Sequence, residues 1–286
     1  MCPLHGYLRC VPFLNAPPKQ PPRRIVSLCP SVTETVHFLG AWDRLVGRTR
    51  YCVHPRGLVQ AVPHLKGTKT PDLPALFALR PDLVVAVKEE NRQSDVELIA
   101  GAGIPTLLLD PCSVEDAAEA ALELGDALDC PIEGELLARR IGSALRRAAA
   151  LPGPRPRVVY LIWWEGAMAV GSDTFIHSML VAGGMDNLCA GGVRYPELTS
   201  EELAALRPDA VLLSSEPYPF KERHREELAA ATGLPAERFV LVDGELFSWH
   251  GSRTTRGIRY SSNVAARLRG NAPPFPEVDD LPVSSR

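Results

Sequence analysis

Several places in the 286-residue chain put acidic, hydrogen-bonding or aromatic side chains directly after a short apolar run. They are Cys29-Pro30-Ser31, Tyr51, Lys88-Glu89-Glu90-Asn91, Asp110, Trp163-Trp164-Glu165, Ser215-Glu216 with Tyr218, and Asp243 to His250 with Phe247 and Trp249. If the apolar runs are parallel strands, these residues sit at strand carboxyl ends, where open α/β sheets collect their ligands. Aromatic side chains are over-supplied there for a chain that is 6% aromatic. Such a set covers the faces of a large, partly apolar ligand and orients it with a few polar groups. Trp163 and Trp164 are adjacent on one expected strand, so they point to opposite faces and at least one belongs to the core.

Catalytic chemistry is poorly supplied. The chain has no GxSxG, no HExxH and no Walker lysine. Ser31 follows a strand and opens a helix but lacks a nucleophile elbow's glycines; with Glu34 it has the spacing of a capping box. No two histidines stand three or four residues apart and no CxxC accompanies them, so no metal site is assigned. His250, in Trp249-His250-Gly251-Ser252-Arg253, is the histidine best placed to meet a ligand. Lys88-Glu89-Glu90 reads as a solvated loop at the rim of the same edge.

The elements that must position these residues come in two copies. Leu76-Phe-Ala-Leu-Arg-Pro-Asp-Leu-Val-Val85 recurs as Leu203-Ala-Ala-Leu-Arg-Pro-Asp-Ala-Val-Leu212. Each is followed by Gly-x-Pro (Gly103 to Pro105, Gly233 to Pro235) and another apolar run ending in Asp110 or Asp243. A helix must stop before Pro81 or Pro208, and a buried parallel strand follows. Helix–strand–helix–strand in each half predicts two α/β, Rossmann-like lobes with parallel sheets. Between them, from Ile132, Leu137, Ile141, Ala144, Leu145 and Ala148 fall on one face of a long helix, roughly 28 Å at 1.5 Å per residue. With no glycine-rich linker, it is the natural strut joining the lobes. The expected organisation is a flexible tail over 1–22, a first lobe over 23–131, the connecting helix over 132–152, a second lobe over 153–269 and a tail over 270–286.

A formal charge of −3 gives no sign of a nucleic-acid partner, and no apolar run is long enough to span a bilayer. Seven scattered cysteines favour free thiols over a disulfide framework. The N-terminal 22 residues show no apolar signal segment. As written, the chain is expected in the cytoplasm; a different start site would make it periplasmic or otherwise extracytoplasmic.

Taken in order, Arg24-Ile-Val-Ser-Leu-Cys-Pro-Ser-Val-Thr-Glu34, Leu45-Val-Gly47, Tyr51, Pro71-Asp-Leu73, Leu79-Arg-Pro-Asp-Leu-Val84, Asn91, Gly103-Ile-Pro105 and Tyr195-Pro196 resemble one family. It is the helical-backbone (class III) substrate-binding proteins of ABC importers, especially its cobalamin, ferric-siderophore and haem binders. The resemblance covers about residues 23–268. It implies a ligand held between the lobes with little hinge motion. Tyr51, Trp163 and Tyr195 match aromatic positions of that family's cleft, and Glu245 an acidic one, while two further aromatic positions are Thr68 and Val87 here. The family also docks on its permease through one glutamate per lobe. Glu201 matches the second, whereas the first is replaced by Pro74, so the docking pair is incomplete.

These readings converge on a binding protein without catalysis. The cargo would be a corrinoid or iron chelate, with no intrinsic cofactor, held by Pro30, Ser31, Tyr51, Trp163, Trp164, Tyr195, Glu245, Trp249, His250 and Arg253. The partners would be that small molecule and an ABC permease met through Glu201, the protein itself being a monomer. The alternatives are a cytosolic sensor or scavenger on the same scaffold, and an enzyme such as a chelatase or hydrolase using Glu165, Glu245 or His250.

Overall fold

A computed structural model describes residues 13–164 and 166–276. The expectations that fall on Cys2, His5, Cys10, Glu165 and the last residues of the chain lie outside them. The chain divides into two compact units. One takes the described residues through Asp110 together with Ala118–Ala138; the other takes Pro111–Ala117 and the described residues from Arg139 onward.

The first unit runs β1 (Ile25–Ser27), α1 (Pro30–Phe38), β2 (Leu45–Gly47), α2 (Leu73–Ala78), β3 (Leu83–Val87), α3 (Gln93–Gly101) and β4 (Thr106–Leu109). Its four strands are all parallel, in the order β2-β1-β3-β4. β3 is buried along its whole length, as a strand covered on both faces must be. α4 (Val114–Ala127) and α5 (Pro131–Ala149) follow, and the division between units falls inside each of them. Ser113 Oγ accepts the Asp116 amide at 3.0 Å while Asp116 accepts from the Cys112 amide, which caps α4 as its spacing predicts. On α5, Leu137, Ile141, Ala144 and Ala148 are buried and Leu145 is half-buried, and the helix ends at Ala149, short of the expected 152.

The second unit contains β5 (Arg157–Trp163), β6 (Met168–Ala169), α6 (Phe175–Ala182), β7 (Asp186–Asn187), α7 (Ser200–Ala205), β8 (Ala210–Ser214), α8 (Glu222–Thr232), β9 (Phe239–Val242), α9 (Glu245–Ser248) and α10 (Thr254–Leu268). Its sheet has the order β6-β5-β8-β9, with β7 also on β5. All pairings are parallel except that of β6, which returns antiparallel along the end of β5. Strands as short as β6 and β7 leave no periodicity to read.

The repeated Leu-Arg-Pro-Asp does more than stop a helix. Arg80 and Arg207 take left-handed φ values of 45° and 49°, which lets each chain turn out of its helix into the proline. The aspartate then reaches the neighbouring strand: Asp82 accepts the amides of Arg23 and Arg24, and Asp209 that of Arg157. In return, the Arg24 and Arg157 side chains donate to the last-turn carbonyls of Leu79 and Leu206. One phrase of sequence thus ends a helix and fixes the register of two strands, in both units.

Two local differences from the sequence reading have simple causes. Pro30 takes the first position of α1, where a missing N–H costs nothing. Cys29 thereby becomes the N-cap residue, no side-chain cap bond forms there, and the expected Ser31–Glu34 capping box is not made. Within the stretch expected to be a tail, Phe13 bridges Leu107 and Leu14 donates to the Thr106 carbonyl. Asn15 there bonds Ala100, Ile104 and Thr106. Near the other end, Asn263 exchanges two hydrogen bonds with the Phe275 backbone.

Candidate functional site

In the first unit the parallel strands bring Cys29, the Arg48–Tyr51 segment, Lys88–Asn91 and Asp110 to one edge of the sheet. Asn91 ties this edge together. Its Oδ1 accepts the Val87 amide at 2.8 Å, and its Nδ2 donates to the carbonyls of Leu28 (3.0 Å) and Thr68 (3.1 Å). Its part is to hold the ends of β1 and β3. Ser31 is buried, with its Oγ 3.2 Å from Cys29 Sγ, and Pro30 is buried as well. Thr33 Oγ1 lies 3.0 Å from Cys52 Sγ. Burial pushes the Cys29 and Cys52 thiols up, away from thiolate chemistry.

Tyr51 stands apart from that packed floor, 48% exposed. Its phenol oxygen accepts from Arg50 Nη2 at 2.8 Å, and the Arg50 guanidinium lies 4.9 Å from its ring centroid. The ring edge lies against Gly67: a Cβ there would be 3.4 Å from Tyr51 Cε2 and 3.2 Å from Thr70 Oγ1. Thr68 and Val87, where the family resemblance expects aromatics, are buried. Beside them, burial raises the carboxyl of Glu90, opposed by Lys69 and a Thr68 hydrogen bond.

In the second unit the end of β5 and the segment after β8 converge on an aromatic cluster. Trp163, 41% exposed, meets Tyr218 edge-on at 5.6 Å. Trp164 turns to the other side, against His224 (5.0 Å) and Phe220 (6.4 Å) at the margin of the core. Tyr218 contacts Phe220 and His224, and its hydroxyl is 3.1 Å from His224 Nε2. Trp164 thus packs and Trp163 remains available. Phe220 and His224 were absent from the sequence reading. Nothing in their spacing announces that the chain after Ser214 turns back over Trp164.

The segment after β9 folds inward. The Arg253 side chain is 4% exposed; Nη1 lies 2.9 Å from Glu245 Oε2, and the guanidinium sits 4.8 Å from the Trp249 ring centroid. Trp249 and His250 are buried, and burial lowers the His250 imidazole to about 4. Its ring meets Phe175 edge-on at 6.2 Å. Glu245, Trp249 and Arg253 therefore form one ion-pair and cation–π group, in which the Glu245 side chain stays 26% exposed. Asp243 accepts the amides of Glu245 and Leu246, and burial, then Glu245, raises its carboxyl. Tyr195, half-buried, carries the Arg194 guanidinium 5.4 Å from its ring.

Among the described residues no group of histidine, cysteine, aspartate and glutamate is arranged to hold a metal ion, and no helix is long and apolar enough to cross a membrane. Among the described residues the site offers exposed rings, guanidinium–phenol pairs and a well-bonded backbone beneath them.

This fold is shared with known proteins. A vitamin B12-binding protein of Yersinia pestis (strain Pestoides F) is 25% identical over 202 residues, 69% of this chain and 71% of the relative. Among solved structures, a periplasmic heme-binding protein from Pseudomonas aeruginosa matches with a TM-score of 0.74 at 26% identity, over 85% of this chain and 92% of the other. The periplasmic vitamin B12-binding protein of Vibrio cholerae has a TM-score of 0.73, over 87% of this chain and 98% of its own; at 17% identity that likeness is one of fold. The family model described as periplasmic binding protein matches residues 25–235, and the chain belongs to that family.

Proposed function

We propose that this protein binds a bulky, flat, metal-bearing cargo, a corrinoid or an iron chelate of the haem type, and hands it to an ABC-type permease without transforming it. The observation that carries the reading is the exposed Trp163 ring set edge-on against Tyr218 at the carboxyl end of β5. It is an exposed aromatic surface of the kind that covers the face of a flat ligand. Relatives named for vitamin B12 and for heme support the cargo class. Tyr51 of the first unit and Tyr195 of the second would add further ring contacts. Pro30, Ser31, Trp164, Glu245, Trp249, His250 and Arg253, being wholly or half buried, would shape the surface from beneath. The cargo's metal is cargo and not a resident cofactor.

Glu201, exposed in the first turn of α7, is proposed to meet the permease, while Pro74, exposed in α2, offers no matching charge. The protein is proposed to act as a monomer. An extracytoplasmic location fits a family described as periplasmic; the cytoplasmic expectation rested on N-terminal residues and finds no support among the relatives. Fractionation of source cells tests the location.

Absorbance titration with haemin and with hydroxocobalamin tests the binding. Saturable spectral change with one of them, weakened by Trp163→Ala, is the expected result. Silence toward both and toward a panel of ferric siderophores would overturn the proposal. Recovery of the bound chelate chemically unchanged after long incubation is expected if there is no turnover.

A further inference from the structure

We propose that Arg48 is the positioning residue of the ligand-facing loop, stapling residues 49–62 from inside so that Tyr51 is presented in one orientation. The inference rests on the reading of Tyr51 as a ligand contact and names the group that makes that contact selective.

Arg48 is 8% exposed, and among the described residues it has no carboxylate within ion-pairing reach. Burying a guanidinium is costly unless its donors are met. Here Nε and Nη1 are met by backbone carbonyls from both ends of one loop. Nε lies 2.9 Å from the Val59 oxygen and 3.1 Å from that of Val62; Nη1 lies 3.0 Å from Thr49 and 3.3 Å from Cys52. The Arg48 backbone adds to this, with its amide donating to Pro63 and its carbonyl accepting from Leu65. The planar fork reaches the start and the end of the loop at once, a geometry a lysine ammonium lacks.

The loop so closed turns Tyr51 outward, 48% exposed, along with Val53 and Leu58 at 46% and 45%. An exposed tyrosine on a slack loop would lose freedom on binding; one on a stapled loop has lost it already. Below, Arg48 fixes the backbone; above, Arg50 bonds the phenol oxygen and Gly67 backs the ring. Arg50 orients the ring and its amide bonds the Lys66 carbonyl. The Arg48 guanidinium bonds carbonyls at both ends of the segment that carries Tyr51.

The test is a double-mutant cycle on the whole protein, with haemin and hydroxocobalamin as probes. Arg48→Lys and Tyr51→Ala should each weaken binding by about tenfold, and the double variant should be no weaker than Tyr51→Ala alone within a factor of about two. Additive losses of about a hundredfold, or an Arg48→Lys variant with unchanged affinity, would overturn the proposal. Hydrogen exchange is read in parallel. Amides of residues 49–62 should exchange at least about tenfold faster in Arg48→Lys while those of β1 and β3 do not change. A uniform acceleration across the unit would show mere destabilisation and also overturn it. Should Arg48→Lys fail to fold, Arg48→Gln, which keeps a donor without the fork, takes its place. If Tyr51→Ala binds as the wild type does, or if neither probe binds at all, the ligand-contact reading falls, and the exchange pattern decides the role of Arg48 by itself.

Discussion

Trp163 and Trp164 are neighbours in sequence whose replacement should do opposite things. Trp164 is half-buried at the margin of the second unit's core, its ring 5.0 Å from His224 and 6.4 Å from Phe220. Replacing a fully buried tryptophan by alanine costs about 3–5 kcal/mol. Half burial brings Trp164→Ala to about 2–3 kcal/mol, or roughly 5–10 °C in the melting temperature of a unit this size. Trp163 is 41% exposed and meets Tyr218 edge-on. Its removal forfeits about 0.5–1.5 kcal/mol of ring–ring contact and should leave the melting temperature within about 5 °C of the parent. Cargo affinity should move the other way. A tryptophan anchor contributes on the order of 2 kcal/mol to an interface, so Trp163→Ala should weaken haemin or hydroxocobalamin binding more than tenfold. Trp164→Ala, measured well below its melting temperature, should weaken it by less than about threefold. The paired assays are thermal unfolding without ligand and absorbance titration with it. A Trp163 variant that melts far earlier, or a Trp164 variant that keeps its stability while losing the ligand, would refute the assignment of the two faces.

Acid should expose the buried histidine. Because burial lowers the folded-state value of His250 from 6.5 to about 4, the unfolded chain takes up the proton first. The stability it protects is complete above about pH 6.5 and is lost as pH falls toward 4, a swing on the order of 3 kcal/mol; urea midpoints at several pH values should show that slope, and His250→Gln should flatten it. Asp209→Ala removes the acceptor of the Arg157 amide and should cost about 1–2 kcal/mol, with faster exchange at the start of β5; an unchanged urea midpoint would contradict the role given to the repeated aspartate. Gly257→Ala would drive a Cβ into the Leu246 carbonyl and to 2.6 Å from Met179 Cε, where α10 crosses α9 and α6, so a loss of more than about 2 kcal/mol is expected in thermal unfolding. Gly67→Ala, by contrast, should press only on Thr70 Oγ1 at 3.2 Å while meeting the Tyr51 ring at an ordinary 3.4 Å contact, so melting temperature and affinity should both hold.

What could be read from the residues was whatever has a period or a stop signal. The buried runs Leu83–Val87 and Ala210–Ser214, the proline stops before them and the apolar face of Pro131–Ala149 all emerged from local pattern. Pattern fails where a few residues decide the outcome. Pro30 displaced the Ser31 cap because a missing N–H outweighed a hydroxyl. Asn15 looked like part of a proline-rich tail, and only the free edge of β4 makes its three hydrogen bonds possible. Glu245, Trp249 and Arg253 have the composition of a ligand loop, and their pairing of guanidinium with carboxylate and indole is a contact that no spacing announces. Whether such a group faces a guest or its neighbours depends on which way the chain turns after β9, and no spacing records that.

The two units repeat their foundations and differ at their rims. Asp82 and Asp209 make the same bond to the central strand, and Arg24 and Arg157 return the same bond to the preceding helix. Above these shared footings the first unit places a guanidinium–phenol pair on a stapled loop, and the second a cluster of rings around Trp164. A foundation can be copied because it answers only to the chain's own geometry, whereas a rim answers to a ligand. Relatives that share the fold and are named for different cargoes, vitamin B12 and heme, follow the same logic. On the function proposed above, the choice among cargoes belongs to the exposed residues, chiefly Tyr51 and Trp163. A substitution there should change which chelate binds before it changes whether the protein folds, while one at Asp82 or Asp209 should do the reverse.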